Sequence, residues 1–249
     1  MLFKKRDEKE IRKNINLKLT KIKDKKLEKK IKQDNLYDDF FDILLKLSFV
    51  KNKKPLIKKA KAIAKKIPEL KGWPSSSKFW DAEALMWNEN IPNNIRKLIK
   101  TQINKTIPKG NNLCLGSGSY HYVKNSVLLD YSQEMLNKSN NSKKVLFNLN
   151  KGKMPFKNNS FNSITAVFLI NYIKDLNFLL KDAKRILKKN GKIIIVQSAN
   201  PIAKLYRIKQ KKSWKKEDVE KLMKRFKFKT NIHENITGKT RLIFFEGIK

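Results

Sequence analysis

LCLGSGSYHYVKNSVLLDYS, residues 113–132, sets two glycines, Gly116 and Gly118, directly after one apolar run and closes a second, Val127-Leu128-Leu129, on an acid, Asp130. The chain has only eight glycines in 249 residues. Two at this spacing mark a place where the backbone turns tightly or approaches a ligand without a Cβ in the way.

Outward from this stretch, short apolar runs alternate with helical patterns. NLCLG, VLLD, KVLFNL, SITAVFLI and KIIIVQ are separated by SQEMLNKS and by DLNFLLKDAKRILKKNG. Such alternation predicts β-α-β units: an α/β, Rossmann-like, doubly wound, mostly parallel sheet with helices on both faces. The helix ending RILKKNGK is expected to carry lysines in its last turn and to end on a left-handed Asn190-Gly191 cap. SWKKEDVEKLMKRF reads as a helix with Ser213 or Trp214 near its start. KFKTNIHENI and TRLIFFEGI read as two late antiparallel strands. YHYVKNS leaves room for no more than a turn of helix between the glycines and Asp130.

In a doubly wound sheet, ligands bind outside the carboxyl ends of the strands. Gly116 and Gly118 fall at the end of the first strand, and Asp130 at the end of the second, where a carboxylate can accept from two ribose hydroxyls. The pair predicts a nucleoside-containing ligand. The dinucleotide fingerprint does not fit: its third glycine position is His121, and the acid lies 12 residues after Gly118 rather than about 20. A P-loop is excluded because no G-K-[ST] follows.

The order of segments resembles the class I S-adenosylmethionine-dependent methyltransferases, of the small-domain type 11-like group. LCLGSGS is similar to the family's D-x-G-x-G turn, and LLDYSQEML to its D-x-S-x-x-M-L. FNLNKGKMPFKNNSFNSITAVFLINYI resembles the segment ending L-P-F-x-D-x-S-F-D-x-V, and LLKDAKRILKKNGKIIIV resembles its R-x-L-K-x-G-G helix and fifth strand. The resemblance covers residues 112–196 and, more loosely, the C-terminus. It implies S-adenosyl-L-methionine as cofactor. Gly116, Ser117 and Gly118 would line its methionine part, and Asp130 would bind the ribose. Tyr131, Ser132 and Met135 would lie near ribose and adenine, Asn148, Leu149 and Asn150 beside the adenine, and Phe168 and Leu169 below the methyl group. The chain departs from the family at Cys114 and Tyr120 in the glycine turn, and at Asn148 and Asn162, where aspartates are usual.

The preceding part, residues 1–105, reads as a basic, all-helical extension to a methyltransferase-like domain over residues 106–249. Residues 4–32 form a charged, weakly amphipathic helical pattern. In NLYDDFFDILLKLSFV, Leu36, Phe40, Leu44 and Leu47 share one face, and PLIKKAKAIAKKI starts on Pro55, harmless in a first turn. WPSSSKFWDAEALMW offers Ser76 or Ser77 as N-cap, with Trp80 and Trp87 on one face. Residues 95–103 read as one more helix.

Net charge is +37 and pI about 10.2, a balance that ordinarily points to nucleic acid. Only seven of the 59 basic residues are arginine, the side chain that grips phosphate bidentately. Lysine, asparagine and isoleucine are enriched throughout, as a low-GC genome would impose. One cysteine excludes an internal disulfide, and two distant histidines argue against a zinc site; no metal is expected. No segment reaches the roughly 20 apolar residues of a spanning helix, and the N-terminus turns charged before a signal-length apolar run forms, so a cytoplasmic protein is expected.

Methyl transfer is an in-line displacement in which proximity and alignment supply much of the rate, so no catalytic residue announces itself. His121, Tyr122, Asn171 and Tyr172 are the polar candidates for acceptor contacts. Two functions follow: a methyltransferase acting on a small-molecule or RNA acceptor, with the basic helices as lid or docking surface, or a catalytically degenerate methyltransferase-like RNA-binding or interaction protein.

Overall fold

The computed structural model of the chain describes residues 25–47, 50, 52–74, 77–84, 91–141, 143–200 and 209–249. Residues 4–24 of the charged helical pattern, Ser76 and Trp87 lie outside them. The N-terminal helices are α1 (Lys25–Leu47), α2 (Lys54–Ala64), α3 (Lys78–Glu83) and α4 (Asn93–Thr106). There follow β1 (Asn112–Leu115), β2 (Val127–Asp130), α5 (Gln133–Asn137), β3 (Lys144–Leu146), β4 (Phe161–Val167), α6 (Leu176–Ile186), β5 (Leu187–Ser198), α7 (Lys216–Arg225), β6 (Lys229–Thr237) and β7 (Thr240–Ile248).

The strands form one seven-stranded sheet in the order β3-β2-β1-β4-β5-β7-β6. The first five run parallel, and β7 pairs antiparallel with both β5 and β6. Central strands of such a sheet are covered on both faces and therefore read as unbroken apolar runs. Ile193, Ile194, Ile195 and Val196 of β5 accordingly have no exposed surface.

Alternate residues feed two cores. Leu113, Leu115, Ile164, Ile193 and Ile195 face α6 and α7, meeting Leu180, Ala183 and Met223 among others. Cys114, Leu128, Ile194, Val196 and Phe244 face α4, which supplies Ile95, Ile99 and Ile103. A third cluster joins α1, α2 and α3 through Phe40, Leu44, Ala60, Trp73 and Phe79.

Several local expectations change. The two helical patterns on either side of residue 33 are one continuous helix from Lys25 to Leu47, since no glycine or proline interrupts them. No helix forms between β1 and β2: the connection is turns and bends, with Gly116, Gly118 and Asn125 all at positive φ, which an α-helix does not admit. Tyr122 and Val123 instead plug into the core, and α4 covers the face.

Helix α6 ends at Ile186, not at the Asn190-Gly191 pair, because Leu187 is already extended and pairs with Phe161. Asn190 is left-handed, φ 60°, but within a register irregularity of β5 between the pairs Phe161↔Leu187 and Ser163↔Lys192. The cations in the helix's last turn are therefore Lys184 and Arg185. Ser77 stands at the N-cap of α3 without a side-chain cap bond. Helix α7 begins at Lys216, past Ser213 and Trp214.

Arg185 ties the loop before β4 to α6. Its guanidinium donates to Asp182 Oδ1 at 2.6 Å and to the main-chain oxygens of Phe156 and Met154 at 2.7 and 3.1 Å. Buried Asp182 also accepts from Met154 N at 2.6 Å. Replacing Asp182 by Ala leaves these donors unpaired, and should lower the unfolding free energy by about 1–3 kcal/mol. Urea denaturation of the variant beside the wild type measures this, and an unchanged midpoint would remove the network from the account.

Candidate functional site

Strands β1, β2 and β4 end side by side, and the loops leaving them enclose a cavity of about 340 Å³, within the roughly 300–1,000 Å³ of small-molecule sites. Gly116, which follows β1, has φ 54°, and a Cβ there would stand 2.5 Å from Leu169 Cδ1. The loops after β1 and β4 thus touch where a side chain would part them. Gly118, φ 59°, donates its N–H to Asp130 Oδ2 at 2.8 Å.

Asp130 ends β2, buried at the cavity wall, with Ser132 N donating to its other oxygen at 2.9 Å. Both carboxylate oxygens are thus held by backbone donors. Burial pushes the Asp130 carboxyl above its ordinary range. The backbone N–H groups of Ser132, Gly118 and Tyr131 oppose this, and the charge of Asp81 adds to it.

Ser132 is fully buried, and its hydroxyl caps α5 by accepting from Met135 N at 3.1 Å. The same hydroxyl donates to Asp81 Oδ1 at 2.6 Å, and Asp81 also accepts from Glu134 N at 3.3 Å. Asp81 belongs to α3, is itself buried, and pairs with Lys78 at 3.1 Å. The N-terminal helical layer is fastened at this point to the turn that carries Asp130.

On the far side, Asn148 Oδ1 accepts from Asn150 N at 2.9 Å, closing an Asx turn. Asn150 then donates to Tyr172 O at 3.2 Å and accepts from Lys174 N at 2.6 Å, joining the loops after β3 and β4. Phe168 leaves β4 with φ 55°, a conformation that a bulky residue adopts at a cost of about 1–2 kcal/mol, and its N–H is held by Val196 O at 2.8 Å. Trp80 of α3 meets Tyr172 edge to face, ring centroids 4.9 Å apart. Lys209 donates to Pro74 O and lies over the Phe79 ring, 5.5 Å from its centre.

Of the residues anticipated around the cofactor, Gly116, Gly118, Asp130, Tyr131 and Met135 line this cavity, as do Asn148, Leu149, Asn150, Phe168 and Leu169. Ser117 faces instead a cavity of about 20 Å³ beside Cys114 and Tyr120, and Ser132 stands behind Asp130. Of the acceptor candidates, Tyr172 lines the main cavity. Tyr122 is buried on the smaller one. Asn171 is buried beside neither, and its main-chain oxygen accepts from Lys211 N at 2.8 Å. His121 lines neither cavity, and burial and the Lys100 charge push its pKa down. Burial raises the Tyr172 phenol, which stays protonated at neutral pH and can donate rather than act as a base.

The departures from the family pattern resolve into packing. Cys114 points to the α4 face, its thiol donating to Ser126 Oγ at 3.3 Å and accepting from Thr165 Oγ1 at 3.2 Å. Asn162 accepts from Asn111 N at 3.0 Å and from Lys188 Nζ at 3.1 Å, at the opposite end of β4. Sequence reasoning missed Trp80, Phe147, Lys174, Lys209 and Lys211 on the cavity, and Asp81 behind it. No spacing rule links residues 80 and 209 to the glycine turn; the available signal was the acids Asp81 and Glu83 beside Trp80 in a chain otherwise dominated by lysine.

Residues 111–195 match the family described as "Methyltransferase domain". Among curated proteins, the ubiquinone/menaquinone biosynthesis C-methyltransferase UbiE of Rickettsia typhi is 31% identical over 138 residues, 48% of this chain and 50% of that protein. The chain thus spans about half the length of the curated relatives it matches first. Among solved structures, phosphoethanolamine N-methyltransferase 2 of Haemonchus contortus, in complex with S-adenosyl-L-methionine, superposes with a TM-score of 0.56 at 14% identity, covering 72% of this chain and 61% of that one. A SAM-dependent methyltransferase of Thermotoga maritima gives 0.54 at 18%, covering 68% and 99%. These likenesses carry the fold.

Asp81→Ala removes the acceptor for the Ser132 hydroxyl and the Glu134 N–H. The loss should be about 1–3 kcal/mol of stability and should appear in hydrogen exchange as faster exchange in α3 and α5 but not in β4 or β5. Uniform protection across all four would show that the junction carries no weight.

Proposed function

We propose that the protein transfers a methyl group from S-adenosyl-L-methionine to an acceptor, a reading supported by the match of residues 111–195 to the methyltransferase-domain family. The observation that carries the reading is Asp130: a buried carboxylate at the end of β2, held on both oxygens by backbone N–H groups, on the wall of the cavity.

The residues present fit this cofactor. Asp130 would accept from the ribose hydroxyls, and Asn148, Leu149 and Asn150 would border the adenine. Gly116 and Gly118 would hold the methionine part, and Phe168 and Leu169 would wall the pocket under the transferable methyl. When bound, the cofactor supplies an electrophilic methyl group on a positively charged sulfur. The chain's own contribution is alignment and exclusion of water, worth up to roughly 7–11 kcal/mol in well-oriented systems. Trp80, Tyr172 and Leu169 close the apolar side of the cavity. The acceptor's proton leaves to solvent, since the Tyr172 phenol, protonated at neutral pH, can donate a hydrogen bond but not take the proton up.

We take the acceptor to be a small molecule, because Trp80 of α3 lines and narrows the cavity. Among the described residues, exposed lysines such as Lys58, Lys97, Lys181 and Lys221 sit on four different helices, a scatter that favours this reading over RNA binding. Helices α1 to α4 act in this reading as a cover over the domain of residues 106–249. No helix of the described residues is long and apolar enough to cross a membrane.

Calorimetric titration with S-adenosylmethionine tests the reading directly, and absence of heat together with absence of a thermal shift would sink it. Asp130→Ala should weaken binding at least tenfold, the scale of two lost hydrogen bonds to a charged acceptor. Wild-type affinity should fall as pH drops through the raised Asp130 pKa, because the protonated carboxyl loses acceptor capacity. The acid limb should therefore lie above the ordinary aspartate range; an affinity flat down to that range would refute the ribose assignment.

A further inference from the structure

Four charged residues among those described line the main cavity, Asp130, Lys174, Lys209 and Lys211, and the buried Glu83 acts on Tyr172 from behind the wall. Among the described residues, no ion pair takes up any of the three lysines. Lys209 is half-buried, its ammonium resting on the Pro74 carbonyl and the Phe79 ring rather than on a carboxylate. Burial and the neighbouring charge of Lys211 both push its pKa down, so the two ammonium groups feel each other.

The cofactor alone does not use all of these cations. S-adenosylmethionine carries a sulfonium, an ammonium and one carboxylate, a net positive charge entering a cavity bordered by three lysines. Its carboxylate can satisfy one lysine at most. Lys209 is the half-buried one of the three, while Lys174 and Lys211 are exposed at the mouth, so an anion on the acceptor can take up the ammonium groups that the cofactor leaves. The rest of the lining says what kind of body carries that anion: Trp80, Phe147, Phe168 and Tyr172 are aromatic, and Ile173 and Leu169 are aliphatic.

Building on the methyltransferase reading, we propose that the acceptor is a small aromatic anion. Its flat apolar body lies against Trp80 and Tyr172, and its carboxylate or phosphate is held by Lys209 and Lys211. A cationic cofactor and an anionic acceptor then bind with mutual reinforcement, each relieving the charge that opposes the other. The cavity's size and the cover of α3 select a small anion over a polynucleotide.

The test is calorimetry of S-adenosylmethionine with the full chain at low salt, alone and with 4-hydroxybenzoate, phenyl phosphate, 4-hydroxybenzamide or a short oligoribonucleotide at saturating concentration. The expected result is that an aryl anion strengthens cofactor binding by about tenfold, within the usual 5–150-fold range of coupling between two ligands, while the neutral amide does not. The larger of the two anion effects separates carboxylate from phosphate. The enhancement should vanish in Lys209→Met/Lys211→Met. In wild-type protein it should shrink toward 1 M salt, where screening falls to about 3 Å, a measurement that does not depend on the variant's folding.

Equal effects of benzoate and benzamide, an enhancement untouched by salt and by the double substitution, or enhancement by the oligonucleotide alone would each overturn the proposal while leaving the methyltransferase reading in place. Failure of the wild-type protein to bind S-adenosylmethionine under any of these conditions would overturn both.

Discussion

A carboxylate cannot be buried at the edge of an apolar sheet unless its oxygens are hydrogen-bonded, and the region around the cavity is organised by that requirement at Asp130. Gly118 and Ser132 meet it from opposite sides with backbone N–H groups at 2.8 and 2.9 Å. To present its N–H, the chain at Gly118 must run at φ 59°, which glycine allows freely and other residues do not. To present the other, Ser132 must stand at the start of α5, where its hydroxyl caps the helix and reaches Asp81. The glycine turn, the short helix and the anchoring of the N-terminal layer are thus consequences of one buried acid.

The same constraint explains the helix-free connection between β1 and β2. Parallel strands ordinarily need a helical crossover, yet here the strand ends are joined by turns carrying three left-handed residues. The apolar face this leaves bare is filled twice over, by Tyr122 and Val123 from the connection itself and by Ile95, Ile99 and Ile103 of α4. The segment before the sheet is therefore part of its core through α4, and α3 borders the site through Trp80.

The succession of strands and helices along the chain and the location of the glycine turn were legible from the sequence because both are local. Apolar runs of fixed length announce strands, and Gly116, Gly118 and Asp130 sit at their ends. Element boundaries were less so. Asn190-Gly191 has the chemistry of a helix cap, but the pairing of Leu187 with Phe161 turned the same residues into a strand irregularity, since ladder bonds and core burial outweigh a cap. Cys114 and Asn162 read as defects of a motif, and proved to be satisfied by Ser126, Thr165 and Asn111, partners that no linear pattern pairs with them.

The sequence by itself determined the α/β class, the order of its elements, the acid and the glycines of the turn, because each depends on periodicity or on backbone freedom within a few residues. Tertiary structure alone decided what surrounds them. Trp80, Lys209 and Lys211 come to the cavity from segments more than a hundred residues apart, Asp81 reaches Ser132 across 51 positions, and His121, three residues from Gly118, is turned away. Contacts of that range are chosen by how helices pack on a sheet, and packing depends on the whole set of buried faces at once.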